Sequence, residues 1–124
     1  GIRTQAPADF GIEIIHAHEI DGLGAPGVIR RILERVGDAR TYITFDIDGL
    51  DPAFAPGTGT PVAGGLSTRE ALTVLGGLGS LDIVGADVTE VAPAYDHADI
   101  TAIAGASVAH HYLGLLASKR RGGK

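Results

Sequence analysis

Hydrophobic positions along the chain follow two different periods. Ile12, Ile14 and Ile15 within Gly11 to His16 predict a first strand. From Pro26 onward, Ile29, Ile32, Leu33 and Val36 fall at i, i+3, i+4 and i+7, a helix that Pro26 can open and Gly37 can cap. Thr41 to Asp46 (Thr-Tyr-Ile-Thr-Phe-Asp) is β-branched and aromatic, predicting a second strand that runs straight into an acidic cluster. Ser67-Thr68-Arg69-Glu70 has the form of a capping box and opens a helix to about Leu78. Leu81 to Asp87 predicts a third strand. Ile100, Ile103, Ala104, Val108, Leu115 and Leu116 then give a last helix one apolar face. The order β-α-β-loop-α-β-α is that of βαβ units on a parallel sheet, so the expected class is α/β. Three strands make only part of such a sheet, and Ile2 reads as the end of another strand, so an N-terminal truncation is expected.

Between the second strand and the capping box lies Gly49 to Leu66, with Pro52, Pro56 and Pro61, five glycines and no charge except Asp51. A loop this long inside a compact domain is uncommon and usually functional, and its low charge favours order. The chain's 19 glycines are otherwise spread over the ends of periodic segments, as punctuation.

Composition narrows the picture. At 124 residues, 44% hydrophobic and mean hydropathy +0.19, the chain suits one globular domain with a buried core. The absence of cysteine excludes disulfides, thiolate metal sites and a cysteine nucleophile. No apolar run reaches the roughly 18 residues of a membrane span, and no signal-peptide core is visible at Gly1, so a soluble protein without membrane partners is expected. Four of the ten basic residues (Lys119, Arg120, Arg121, Lys124) lie in the last six positions. Residues 1–118 therefore carry six basic against fifteen acidic side chains, a formal −9. We divide the chain there into a body, 1–118, and a basic tail, 119–124. An acidic body argues against nucleic acid as a partner and allows a cation or a cationic substrate.

The acidic cluster Asp46-Ile47-Asp48-Gly49-Leu50-Asp51 stands at a strand's carboxyl end, where open α/β sheets bind ligands. Side-chain alternation puts Asp46 and Asp48 on one side of an extended chain. Two carboxylates this close favour a cation between them or a shared proton. Loop-start aspartates also cap turns, and Asp51 before Pro52 is read that way. An EF-hand does not fit, because Gly49 falls at position 4 of that loop and Gly57 at position 12, where a glutamate is needed. Phe45-Asp46-Ile47-Asp48-Gly49 also resembles the nucleophile loop of haloacid-dehalogenase-type phosphatases. The lysine that phosphoryl transfer needs has no counterpart, since Lys119 and Lys124 are both in the tail.

A longer stretch is more specific. Thr44 through Glu70, with Phe45-Asp46-Ile47-Asp48-Gly49-Leu50-Asp51-Pro52 and Pro56-Gly57-Thr58-Gly59-Thr60-Pro61 at its heart, resembles the C-terminal signature of the ureohydrolases, the arginase and agmatinase family. The resemblance continues through Gly85-Ala86-Asp87-Val88-Thr89-Glu90-Val91 and Pro93 to Ala102, and it looks more like agmatinases than arginases. It covers nearly the whole chain as the C-terminal portion of a longer one. It implies an arginase-like parallel α/β/α fold and a binuclear Mn²⁺ hydrolase that splits a guanidino compound into urea and an amine by a metal-activated hydroxide. By the same resemblance Asp46 and Asp48 are metal ligands, with Asp46 bridging, and Asp48 and Glu90 are catalytic. Glu90 also binds the substrate guanidinium, and Thr60 contributes a nearby hydroxyl. Arg69 and Glu70 match positions of subunit ion pairs. A homo-oligomer and a cytoplasmic location follow as further implications.

The family's remaining ligands, a histidine and an Asp-x-His-x-Asp group, have no counterpart in this chain, so the metal site is expected to be incomplete. His16 and His18, with Glu19, fall at a strand-to-helix junction that carries no ligands in the family, and they read as exposed. His97 reads as structural or near the pocket rim, and adjacent His110 and His111 point in different directions. Two readings stand side by side. In one, the chain is part of an enzyme completed by residues from elsewhere. In the other, it is a non-catalytic fragment or assembly subunit. A half-sheet alone would expose an apolar edge and is expected to associate unless covered.

Overall fold

The computed structural model describes residues 7–122. Helix α1 runs Ala17–Val36, strand β1 Arg40–Asp46, helix α2 Thr68–Gly76, strand β2 Asp82–Thr89 and helix α3 Ile100–Gly122. Short 3-10 turns lie at Pro7–Phe10, Ile47–Gly49 and Pro93–Tyr95.

The strand expected over Gly11 to His16 does not form among the described residues. The sheet there has two strands, β1 and β2, and a strand exists only through a ladder with a neighbour. In its place, α1 starts at Ala17. The Glu19 carboxylate accepts the His16 N–H at 2.7 Å, covering an otherwise unpaired helix-start donor. Gly24 breaks the helix with φ 61° and ψ 173°, and Pro26 resumes it two residues later, as expected from the sequence. Gly37 closes it, its N–H donating to the Leu33 carbonyl. Glu13 receives Arg31 at 2.8 Å and so fastens the preceding segment to α1.

β1 and β2 pair in parallel, Thr44 opposite Asp87 and Asp46 opposite Thr89. Their two faces differ. Ile43, Phe45, Ala86 and Val88 pack on a core built from Leu75, Leu78, Ile83, Val108 and Tyr112, to which α1, α2 and α3 all contribute. The opposite face is largely exposed among the described residues and mixes polar side chains with Tyr42. There Tyr42 and Thr44 donate to the Asp87 carboxylate at 2.8 and 2.5 Å, and the Tyr42 ring lies over Gly85, where a Cβ would stand 2.8 Å from it. A parallel sheet is normally covered on both sides, so the described residues form part of an α/β layer arrangement.

α3 buries Thr101, Ala104, Val108 and Tyr112 as one stripe, leaving Ile103 and Leu113 more than 60% exposed. Residues Ile100–Arg120 are long and apolar enough, by length and composition, to cross a membrane. That differs from the sequence expectation, because His110 and His111 interrupt the apolar run without lowering its mean hydropathy below 1.3. Here the helix packs on β2 and α2. Its last turns carry Lys119, whose ammonium pairs with Asp82 and reaches the Ile83 carbonyl.

Candidate functional site

The second core cluster lies directly beneath the acidic residues. Ile47, Leu50 and Ala55 are each at most 1% exposed and pack with Ala71 and Ala104. With Ile47 pointing inward, Asp46 and Asp48 are left facing outward at the carboxyl end of β1. The reason differs from strand alternation, because Ile47–Gly49 is a 3-10 turn and not extended chain. Asp46 Oδ1 accepts the Asp48 N–H at 3.0 Å, so the aspartate caps a turn and belongs to a carboxylate pair at the same time. Partial desolvation, aided by the Asp48 side chain and the charge of Glu90, pushes the Asp46 carboxyl up from its usual value, against the Asp48 N–H bond, which pulls it down.

The loop after Asp48 is ordered by its own backbone. Leu50 and Leu66 form a parallel bridge, the Asp51 N–H donating to Leu66 O at 2.8 Å and the Leu66 N–H to Gly49 O at 3.0 Å. The Asp51 carboxylate accepts the amides of Ala53 and Gly64 at 2.9 and 2.8 Å, and these bonds hold its pKa low. Within this closed loop the Thr60 hydroxyl donates to Asp48 Oδ2 at 2.7 Å. Glu90 follows β2 one residue after Thr89, the register partner of Asp46, so the two carboxylates sit at neighbouring strand ends. Its φ is 69°, a left-handed conformation that costs a non-glycine residue about 1–2 kcal/mol. Strain of this kind is tolerated where a side chain must be aimed.

Asp46, Asp48, Thr60 and Glu90 therefore assemble from three separate segments. His16 and His18 do not join them. Their rings stack on each other, centroids 5.5 Å apart, at the start of α1. Among the described residues no group of three or more His, Asp or Glu side chains could hold a metal ion. The Glu70 carboxylate accepts the Ser67 N–H at 2.9 Å, and the Ser67 hydroxyl accepts the Glu70 N–H at 3.0 Å, which completes the capping box. Arg69 and His97 are exposed, and His111 turns back to the Ser107 carbonyl while His110 faces solvent.

The residues fit half of a hard-cation site. Asp46 and Asp48 offer carboxylate oxygens, the donors that Mn²⁺, Mg²⁺ and Ca²⁺ prefer. Two aspartates are too few to close a binuclear centre.

Three residues that the sequence reading did not single out support the site. Asp87 ties β1 to β2, Gly57 joins the loop to the segment after β2, and Asp96 caps α3 with bonds to the amides of His97, Thr101 and Ala102 at 2.9, 2.9 and 3.0 Å. Those bonds bring the Asp96 carboxyl down to about 2, against an opposing cost of burial. Asp96 stands ahead of the usual capping position, which Asp99 occupies, so its role depends on the turn between it and Ile100. Gly57 was hidden among many glycines.

Comparison with known proteins gives a consistent result. The model of the arginase family matches residues 1–114. An agmatinase from Photorhabdus laumondii is 54% identical over 121 residues, which is 98% of this chain and 39% of that protein. Among solved structures, a hypothetical agmatinase from Burkholderia thailandensis superposes with TM-score 0.90 at 52% identity, covering 98% of this chain and 39% of that one. The proclavaminate amidino hydrolase of Streptomyces clavuligerus superposes with TM-score 0.86 at 41% identity, covering 91% and 38%. The chain spans about two fifths of the length of the curated relatives it matches.

Proposed function

The chain belongs to the arginase family, and from that membership we propose that it is the carboxyl-terminal part of an agmatinase-like ureohydrolase, supplying some of the metal ligands and the carboxylate that receives the guanidinium. The observation that carries this reading is the convergence of Asp46, Asp48, Thr60 and Glu90 at adjacent strand ends, with Glu90 held in a strained backbone conformation.

Each residue has a role that its chemistry suits. Asp46 and Asp48 hold divalent cations, Mn²⁺ in this reading, together with ligands from outside these 124 residues. When bound, such ions supply a nucleophile from water at neutral pH. Thr60 orients the Asp48 carboxylate through its 2.7 Å hydrogen bond. Glu90 receives the substrate: a guanidinium is a planar cation with parallel N–H donors, and a carboxylate can accept two of them at once. In the overall hydrolysis a water oxygen bonds to the guanidinium carbon, the bond from that carbon to the substituted nitrogen breaks, and a proton passes to the departing amine. The products are urea and an amine. Agmatine is the substrate we favour, because the agmatinase relatives reach 54% identity while the proclavaminate amidino hydrolase reaches 41%. A small-molecule substrate, a homo-oligomer and a cytoplasmic location belong to the same proposal.

The test is Mn²⁺ calorimetry on the 124-residue chain with a urea assay on agmatine in the same sample. We expect weak ion binding, lost in the double variant Asp46→Asn/Asp48→Asn, and no urea until the remaining three fifths of a relative is added. Ion binding that persists in the double variant, or no urea in the complemented mixture, would overturn the reading and leave a non-catalytic fragment.

A further inference from the structure

We infer that Thr101 is a positioning residue, which uses Gly57 to set the loop carrying Thr60 against the segment carrying Glu90. The inference rests on the proposed reading that Thr60 and Glu90 serve one site.

Three stretches far apart in the sequence meet at Gly57. Its N–H donates to Thr101 Oγ1 at 2.7 Å, and its carbonyl accepts the Ala92 N–H at 2.7 Å. Thr60 lies three residues after Gly57 and Glu90 two residues before Ala92, and each residue of chain reaches at most about 3.6 Å. Both tethers are short, so the junction bounds where Thr60 and Glu90 can stand. Gly57 is buried, and a Cβ on it would stand 2.8 Å from Asp96 Cβ and 3.0 Å from Asp96 Cα, so the close approach needs glycine.

Thr101 itself is 0% exposed. Its neighbours along the buried stripe of α3 are Ala104, Val108 and Tyr112. Packing alone would be served equally well by valine, which has the same shape. The hydroxyl answers a different need, since without it the Gly57 N–H would be buried without an acceptor. Hydroxyls inside helices commonly turn back to the carbonyl four residues earlier, as Thr73 does to Arg69 and Ser107 does to Ile103. Thr101 stands in the first turn and reaches out of its helix instead. Its place is set by Asp96, whose carboxylate gathers the amides of Thr101 and Ala102 and interacts with the Thr101 side chain. The entry to this turn holds Ala98 and Asp99 at φ 52° and 61°, strain that the Asp96 bonds offset.

The experiment compares Thr101→Val with Thr101→Ser by NMR on the 124-residue chain. Three readouts are amide hydrogen exchange, amide shifts on titration with agmatine, and line broadening by Mn²⁺ alone. In the valine variant, exchange at Gly57 and Ala92 should rise about tenfold or more, while serine should keep it within about threefold of the parent. Agmatine-induced shifts at Glu90 and Thr60 should need about tenfold more ligand in the valine variant. Mn²⁺ broadening at Asp46 should keep its concentration dependence, because Asp46 is held by β1. A valine variant that matches the parent in Ala92 exchange and agmatine response would overturn the inference, as would a serine variant as impaired as valine. If agmatine shifts nothing in the parent chain, the exchange comparison still decides the role of Thr101, and the urea assay on the complemented mixture decides the ureohydrolase reading. Should the valine variant not fold, exchange in the parent remains decisive: Gly57, Ala92 and Thr101 amides must open together, and independent opening refutes the link.

Discussion

Gly65→Ala tests whether the loop over the candidate site is a rigid part of the fold. An alanine Cβ there would stand 2.7 Å from the Asp51 nitrogen, 2.8 Å from the Leu50 carbonyl carbon and 2.9 Å from the Gly49 oxygen. Ordinary contacts lie near about 3.5–4.0 Å, and all three atoms are backbone, so no side chain can swing away. Relief requires opening the Leu50–Leu66 bridge with its bonds of 2.8 and 3.0 Å. Two such bonds contribute about 1–3 kcal/mol together, the same range as the cost of overpacking a tight site, so we expect a loss of about 2 kcal/mol. With an unfolding entropy of about 2.1 cal/mol/K per residue, a chain of 124 residues loses about 8 °C in Tm. Gly59→Ala is the control. A Cβ at Gly59 meets nothing within 4 Å, and its variant should stay within about 2 °C of the parent. Thermal unfolding followed by circular dichroism reads both. Equal shifts in the two variants would refute the idea that the Gly65 backbone contact closes the loop.

Ile47→Ala removes a fully buried side chain from beneath the aspartates and should cost about 2–5 kcal/mol in urea unfolding; a smaller loss would mean that the second core cluster is not cohesive. Glu90→Gly relieves the left-handed strain, so Tm should not fall and agmatine-induced NMR shifts should vanish; retained shifts would remove Glu90 from substrate binding. Asp96 has its folded pKa depressed to about 2, so its contribution to stability is present above the ordinary carboxylate range and is lost as pH falls through that range toward 2. Asp96→Asn should therefore lower the urea midpoint at pH 7 and flatten its decline between pH 4 and pH 2. A variant with the parent's pH profile would contradict the capping role.

Much of this architecture could be read from the chain. The capping box at Ser67 and Glu70, the strand ending at Asp46 and the helix after Pro26 all rest on local hydrogen bonding and side-chain periodicity, which neighbours in the sequence determine. The family resemblance pointed to Asp46, Asp48, Thr60 and Glu90, because those positions fall in one ungapped run and one short motif. Where local reasoning failed, the missing information was non-local. Gly11 to His16 has a strand-like pattern, but no neighbouring strand stands beside it among the described residues. Asp46 and Asp48 converge through a 3-10 turn, and what turns them outward is the burial of Ile47, not the alternation of an extended chain.

The amino-acid sequence by itself determined the elements from the helix after Pro26 onward, their order, the acidic character of the body and the residues able to bind a cation, since propensity, capping and charge are properties of short stretches. Tertiary structure alone decided which of those residues share a site. The 44-residue span from Gly57 to Thr101 and the pairing of Asp46 with Thr89 are closed by hydrogen bonds between distant segments. The backbone groups in such bonds carry no side-chain signature, and the bonds form only once the core beneath has excluded water from the groups they join.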